Sequence, residues 1–133
     1  MLDDANVPSL LSLPYLGFCD ANDPIYRATR DWILSPNNPC WVAGPVAGMG
    51  STHGRRGWVW PLGIAMEGLT ASDEAGVEEA TQRIEVTVTG DLLLHESVNP
   101  RRPRRHRRRW FSWADMLYVE LVLASVGIRF PVR

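Results

Sequence analysis

The sequence predicts an all-α fold of about five helices. Three observations carry that expectation. Five segments space their apolar residues at helical intervals, and these segments alternate between mostly apolar and clearly amphipathic. The stretches between them hold Gly and Pro without periodicity. The alternation fits two layers, with inner apolar helices covered by outer amphipathic ones.

The elements follow in order. Residues 1–6 are a polar lead-in. Residues 8–16 form a short apolar helix, with Pro8 at a first helical position, Gly17 as the stop and Pro14 shortening or kinking it. Asp23-Pro24 reads as an N-cap followed by Pro at N1. Ile25, Thr29, Trp32 and Ile33 then follow at helical spacing until Ser35-Pro36 ends the helix. Residues 36–57 read as a long loop, and residues 60–69 as the third helix. Asp73 caps a fourth, marked by Val77, Ala80, Thr81, Ile84 and Val88. A strand competes for its end, because Ile84, Val86 and Val88 alternate with polar residues. A second long loop covers residues 90–109. The fifth helix spans about 111–126, interrupted in its apolar character only by Ser112, Asp115, Glu120 and Ser125.

The 133 residues suffice for one domain, assigned to 1–133, and 45% apolar with 22% charged content argues against a wholly disordered chain. No apolar run approaches the roughly 18–20 residues of a membrane span, so no membrane partner is expected. The opening Met1-Leu2-Asp3-Asp4 carries no positive charge, so no signal peptide is visible and a cytoplasmic location is expected. Cys19 and Cys40 make no CxxC pair and read as free thiols. All 14 basic residues are Arg, and seven of them lie between Arg101 and Arg109. The rest of the chain then carries 7 Arg against 15 acids, a formal charge of −8.

Three polar segments lie at loop-to-helix junctions: Asp3-Asp4-Ala5-Asn6, Gly50-Ser51-Thr52-His53 with Trp58 and Trp60, and His95-Glu96-Ser97. Carboxylates, His and Trp gathered at one end of a bundle suit a carbohydrate. Trp faces stack on sugar C–H surfaces, polar groups bond hydroxyls, and a carboxylate deprotonates water. Each segment also has a structural reading. Asp3 or Asp4 serves as a cap, Trp58 and Trp60 as core, His53 as a solvated loop residue, and Glu96 as an exposed carboxylate. No His, Cys, Asp and Glu group has zinc spacing, and Ser97, His95 and Glu96 lack the strand-turn-helix context of a nucleophilic serine. The Arg101–Arg109 tract reads as a solvated loop. Binding of nucleic acid phosphates is its rival, disfavoured because no aromatic interleaves the tract.

Taken in order, these segments resemble the C-terminal part of glycoside hydrolase family 125, the metal-independent exo-α-1,6-mannosidases. The carrying stretches are Met1 through Gly17 (MLDDANVPSLLSLPYLG), Ile33-Leu34-Ser35-Pro36-Asn37-Asn38-Pro39, Gly50-Ser51-Thr52-His53, Trp58-Val59-Trp60-Pro61-Leu62, Leu94-His95-Glu96-Ser97 and Trp110-Phe111-Ser112-Trp113-Ala114. The resemblance implies a partial (α/α)6 barrel, no metal or cofactor, and inverting hydrolysis of α-mannosides from the non-reducing end. Inversion takes a general acid and a general base on carboxyls about 6.5–9.5 Å apart. Glu96 matches the family's base. Asp4, Asn6, His53, Trp60 and His95 match positions expected around the sugar, and Arg108 matches an Arg common in its loop. The family's acid is an aspartate upstream of the segment that begins this chain. Asp115 stands where the family usually has Asn, and the loop before His95 is less Gly-rich than usual.

The expected function is therefore an exo-acting, inverting α-mannosidase piece that carries the base and lacks the acid, weak or inactive alone. The expected partner is a mannose-containing glycan, and uncovered inner helices are expected to cause self-association. The alternative is a non-catalytic carbohydrate- or polyanion-binding remnant.

Overall fold

The computed structural model describes residues 2–129; Met1 of the opening motif and residues 130–133 of the assigned domain lie outside the described residues. The described residues form four helices and two antiparallel ribbons. The helices are α1 (Pro24–Ile33), α2 (Pro61–Leu69), α3 (Glu74–Glu85) and α4 (Ser112–Ser125). The ribbons pair β1 (Trp41–Val42) with β2 (Gly48–Met49), and β3 (Ser97–Asn99) with β4 (Arg102–Arg107).

This overturns the all-α, partial (α/α)6 barrel expectation: the described residues form a small mixed α/β domain. Two physical causes account for the difference. Residues 8–16 are a run of turns, because the buried Asp3 carboxylate accepts the Leu10 and Leu11 N–H groups at 3.2 and 3.3 Å, in place of a helical ladder. Pro14 has no N–H to extend one. The segments expected as long loops instead pair with themselves. The Asn99 side-chain oxygen accepts the Arg101 and Arg102 N–H groups at 3.0 Å, an Asx turn that reverses the chain and starts β4 inside the arginine tract.

The other helix boundaries follow local chemistry. Asp23 caps α1 by accepting the Ile25 and Tyr26 N–H groups, with Pro24 at the first turn. Asp73 caps α3 through Gly76 N–H at 2.9 Å. The ambiguous 84–88 stretch stays helical to Glu85 and then turns, with Thr87 N–H donating to Ile84 O.

Apolar α2 packs against both α3 and α4, and its residues 61–66 are all buried. Gly68 lets the three helices meet. A Cβ there would lie 2.5 Å from Leu121 Cδ1 and 2.7 Å from Ala80 Cβ. The ribbons sit beside this core. Val59 pairs with Val98 through two backbone bonds of 2.8 and 3.0 Å, and Trp60 N–H donates to Met49 O at 2.9 Å. These two links, at adjacent residues, fix both ribbons to the start of α2. Among the described residues no helix is long and apolar enough to cross a membrane. Cys40 is buried, Cys19 is half-buried, and both are free thiols.

Candidate functional site

The site forms where the β3–β4 ribbon meets the loop before α2. Glu96 directly precedes β3. Arg107 is paired with Ser97 across the ribbon, and Arg108 follows β4. Arg108 has φ +44°, a left-handed conformation that costs a non-glycine residue energy. There its Nε lies 3.2 Å from Glu96 Oε1. The Glu96 side chain is 14% exposed, so a well-packed carboxylate faces a cleft rather than bulk water. The cleft is about 550 Å³ and is lined by His53, Gly54, Arg55, Glu96, Arg107 and Arg108. Glu96 is the one carboxylate among these lining residues.

His95, beside Glu96, is completely buried. Its Nδ1 lies 2.6 Å from the Arg109 carbonyl and its Nε2 lies 3.3 Å from Thr89 Oγ1, while its ring stacks on His106 at 3.5 Å. Leu94 is held on both sides. Its N–H donates to Asp115 Oδ1 at 2.8 Å, and its carbonyl accepts Phe111 N–H at 2.9 Å. The chain on the N-terminal side of Glu96 is thus fixed by α4, and Val98 on the other side by Val59. Arg109 Nε pairs with Asp91 at 2.9 Å. Hydrogen bonds from Thr89 and Arg109 hold the Asp91 carboxyl well below the ordinary carboxylate range.

Burial, the neighbouring His95 and the charge of Arg109 press the His106 imidazole below its ordinary value near 6.5, against an opposing pull from Asp91. The folded state thus binds this proton less tightly than the unfolded chain. Its stability contribution is present above the unfolded value and is lost as pH falls from about 6.5 through the depressed folded value. Denaturant melts between about pH 7 and pH 5 should show stability falling, with a shallower fall in His106→Gln. Equal pH slopes in the two proteins would remove His106 as the cause.

Asp4 and Asn6 organise the loop facing Glu96. The Asp4 carboxylate accepts from Asn6 N–H (2.9 Å), Asn6 Nδ2 (3.0 Å), Ser51 Oγ (3.0 Å) and Thr52 N–H (3.2 Å). Burial pushes this carboxyl up, but the hydrogen bonds outweigh it and hold the group below its ordinary range. Asn6 also donates to Ser51 Oγ at 2.8 Å, which in turn accepts His53 N–H at 3.1 Å. Asp3 serves the turns at 10–11, and burial raises its carboxyl against the two N–H bonds it accepts. Trp60 is 3% exposed and meets Phe111 edge-on at 5.8 Å. It lies directly beneath Gly54, where a Cβ would come 3.0 Å from the indole nitrogen. Gly54 therefore lets the His53 loop settle on the core.

Of the residues named from sequence, His53, Glu96 and Arg108 share the cleft. Asp4 and Asn6 support its loop, and Trp60 and His95 lie beneath it. Gly54, Arg55 and Arg107 line the cleft as well and were not singled out as site residues; for Arg107 the signal was the Asn99-Pro100 turn that sets the ribbon. Among the described residues no group of three His, Cys, Asp or Glu side chains is placed to hold a metal ion.

A family model described as metal-independent α-mannosidase (GH125) matches residues 1–123. The chain belongs to glycoside hydrolase family 125. Among family relatives, a Streptococcus pneumoniae metal-independent α-mannosidase has been solved in a non-productive complex with α-1,6-mannobiose. It superposes with a TM-score of 0.92 at 41% identity, covering 96% of this chain and 30% of that one. The meiotically up-regulated gene 157 protein of Schizosaccharomyces pombe is 43% identical over 124 residues, 92% of this chain and 24% of the relative. The chain thus spans about a quarter of the length of the yeast relative and less than a third of the pneumococcal one.

Proposed function

We propose that this chain supplies the general-base side of an inverting exo-α-mannosidase site, with Glu96 as the base. The observation that carries the reading is the position of Glu96: a packed carboxylate, alone of its kind in the lining of a polar cleft, oriented by Arg108. Ionised Glu96 accepts a proton from water as that water attacks the anomeric carbon. The Arg108 guanidinium, 3.2 Å away, holds the carboxylate turned toward the cleft. His53 and Arg55 offer donors to sugar hydroxyls. The family and the solved mannobiose complex of the pneumococcal relative support an α-1,6-mannoside as substrate.

Inversion also takes an acid that protonates the leaving oxygen. We place it outside the segment shared with this chain, because most of the solved relative's length lies there. Substrates with good leaving groups need that proton least, so slow turnover of an aryl α-mannoside is expected and weaker turnover of α-1,6-mannobiose. Proton NMR of the first-formed sugar should show β-mannose before mutarotation. First-formed α-mannose would overturn the inverting assignment.

The exposed face of α4 bears on the oligomeric state. Trp113, Met116, Val119, Val122 and Val126 recur every three or four residues and are all exposed. An apolar stripe of this kind favours self-association. Light scattering should show mass rising with concentration, and Met116→Glu with Val119→Lys should return the chain to monomer. A monomer at all concentrations would contradict this.

A further inference from the structure

The arginine tract is a built surface beside the cleft. In β4, Pro103 and His106 are half-buried, whereas Arg102, Arg104, Arg105 and Arg107 are exposed. The register shift between Val98 and Asn99 accompanies the two consecutive exposed arginines, Arg104 and Arg105. Among the described residues, Arg108 and Arg109 have carboxylate partners, while Arg55, Arg104, Arg105 and Arg107 make no ion pair. Like charges held this close on one strand repel each other, and a bound anion relieves that repulsion.

A second depression, about 470 Å³, lies along this ribbon and is lined by Arg55, Trp58, Asn99, Arg104, Arg105 and His106. Arg55 lines both this depression and the Glu96 cleft. Its guanidinium sits 5.1 Å from the Trp58 ring centroid, in cation–π contact that steadies it between the two. The His106 Nδ1 is buried without a hydrogen-bond partner. Guanidinium groups beside an aromatic ring suit a phosphorylated saccharide. The ring takes a sugar face and the planar forks take phosphate oxygens in pairs. The shared Arg55 favours a short glycan over a long polyanion, because one ligand can then reach from one space to the other.

We infer that the Arg55, Arg104 and Arg105 surface is an anion subsite for the phosphate of a phosphorylated mannoside whose terminal mannose lies at Glu96. The inference rests on the mannosidase reading for the second half of that placement. Calorimetric titration of the chain separates the two. The ligands are α-1,6-mannobiose, the same disaccharide with a phosphate monoester at C1 of its reducing mannose, inorganic phosphate, and heparin. The phosphorylated disaccharide should bind about tenfold or more tighter than the neutral one. That advantage should shrink as salt rises from about 50 to 200 mM. Arg104→Gln with Arg105→Gln, both on exposed side chains, should abolish the advantage and leave neutral mannobiose binding unchanged. Equal affinity for the two disaccharides, or an advantage that survives the double variant, overturns the anion subsite while leaving the mannosidase reading intact. Failure of neutral mannobiose to bind overturns the mannosidase reading itself. Heparin binding tighter than the phosphorylated disaccharide assigns the ribbon to a polyanion and overturns the saccharide assignment.

Discussion

Glu96→Gln is expected to lower turnover of an activated aryl α-mannoside by about 10²–10⁴-fold, the usual contribution of a positioned proton acceptor. Gln has the same shape and keeps an oxygen that accepts from Arg108, so the cleft persists. It cannot take a proton, so water loses its activation. The loss should fall on kcat, because the base acts on water as the barrier is crossed and adds little to ground-state binding. An aryl leaving group keeps the missing acid from masking the result. Arg108→Gln should cost less, since it removes the 3.2 Å contact that orients Glu96 and leaves the carboxylate itself in place. Unchanged kcat in Glu96→Gln would remove Glu96 from the reaction.

Arg83→Met is expected to destabilise the fold by about 3–5 kcal/mol near neutral pH, the usual cost of stranding one partner of a buried pair. Arg83 Nη2 meets Glu67 Oε1 at 2.5 Å, with both side chains 16% exposed, and Arg83 Nη1 donates to the Ala47 carbonyl at 3.1 Å. The pair thus joins α2, α3 and the β1–β2 connection. Burial raises the Glu67 carboxyl above its ordinary value near 4.5, opposed by the charge and hydrogen bond of Arg83 and by Arg30. A raised carboxyl binds its proton more tightly folded than unfolded, so its penalty grows as pH rises and fades as pH falls. Removing Arg83 raises that carboxyl further. The loss should therefore be largest near pH 7 and smaller near about pH 5, and Glu67→Gln with Arg83→Met should recover much of it. Denaturant unfolding measures this. A loss under about 1 kcal/mol, typical of an exposed pair, would contradict the pair's buried role.

What the sequence disclosed, and what it hid, follows from the range of each interaction. Asp23-Pro24 and Asp73 were legible as caps because capping is settled within three residues. The turns at 8–16 were not, because the competitor for their N–H groups is a carboxylate seven residues upstream, in what read as a polar lead-in. The ribbons were hidden for a different reason. Strands are read from alternating apolar residues, and β4 has none; its pairing is set by the Asn99 turn and by Val98, which Val59 anchors to the core. That error turned a mixed fold into an all-α one and made a paired strand look like a solvated loop. In the site, the resemblance singled out Glu96, His53 and Arg108, which share a cleft. It could not tell lining from support, because His95 and Trp60 are set inward by Arg109, Thr89 and Phe111, contacts that cross many residues.

The most direct measurement of the central claim is azide rescue of Glu96→Ala. Azide needs no deprotonation, so it replaces the water that Glu96 would activate and occupies the space the side chain leaves. Its nitrogen forms a bond to the anomeric carbon as the bond to the aryl oxygen breaks, and aryl oxide leaves with the electron pair. Attack occurs opposite the α-linked leaving group. The account predicts that azide restores turnover of an aryl α-mannoside by the otherwise inactive variant, with β-mannosyl azide as product by NMR. Formation of α-mannosyl azide, or a Glu96→Ala variant as active as the parent chain without azide, would contradict it.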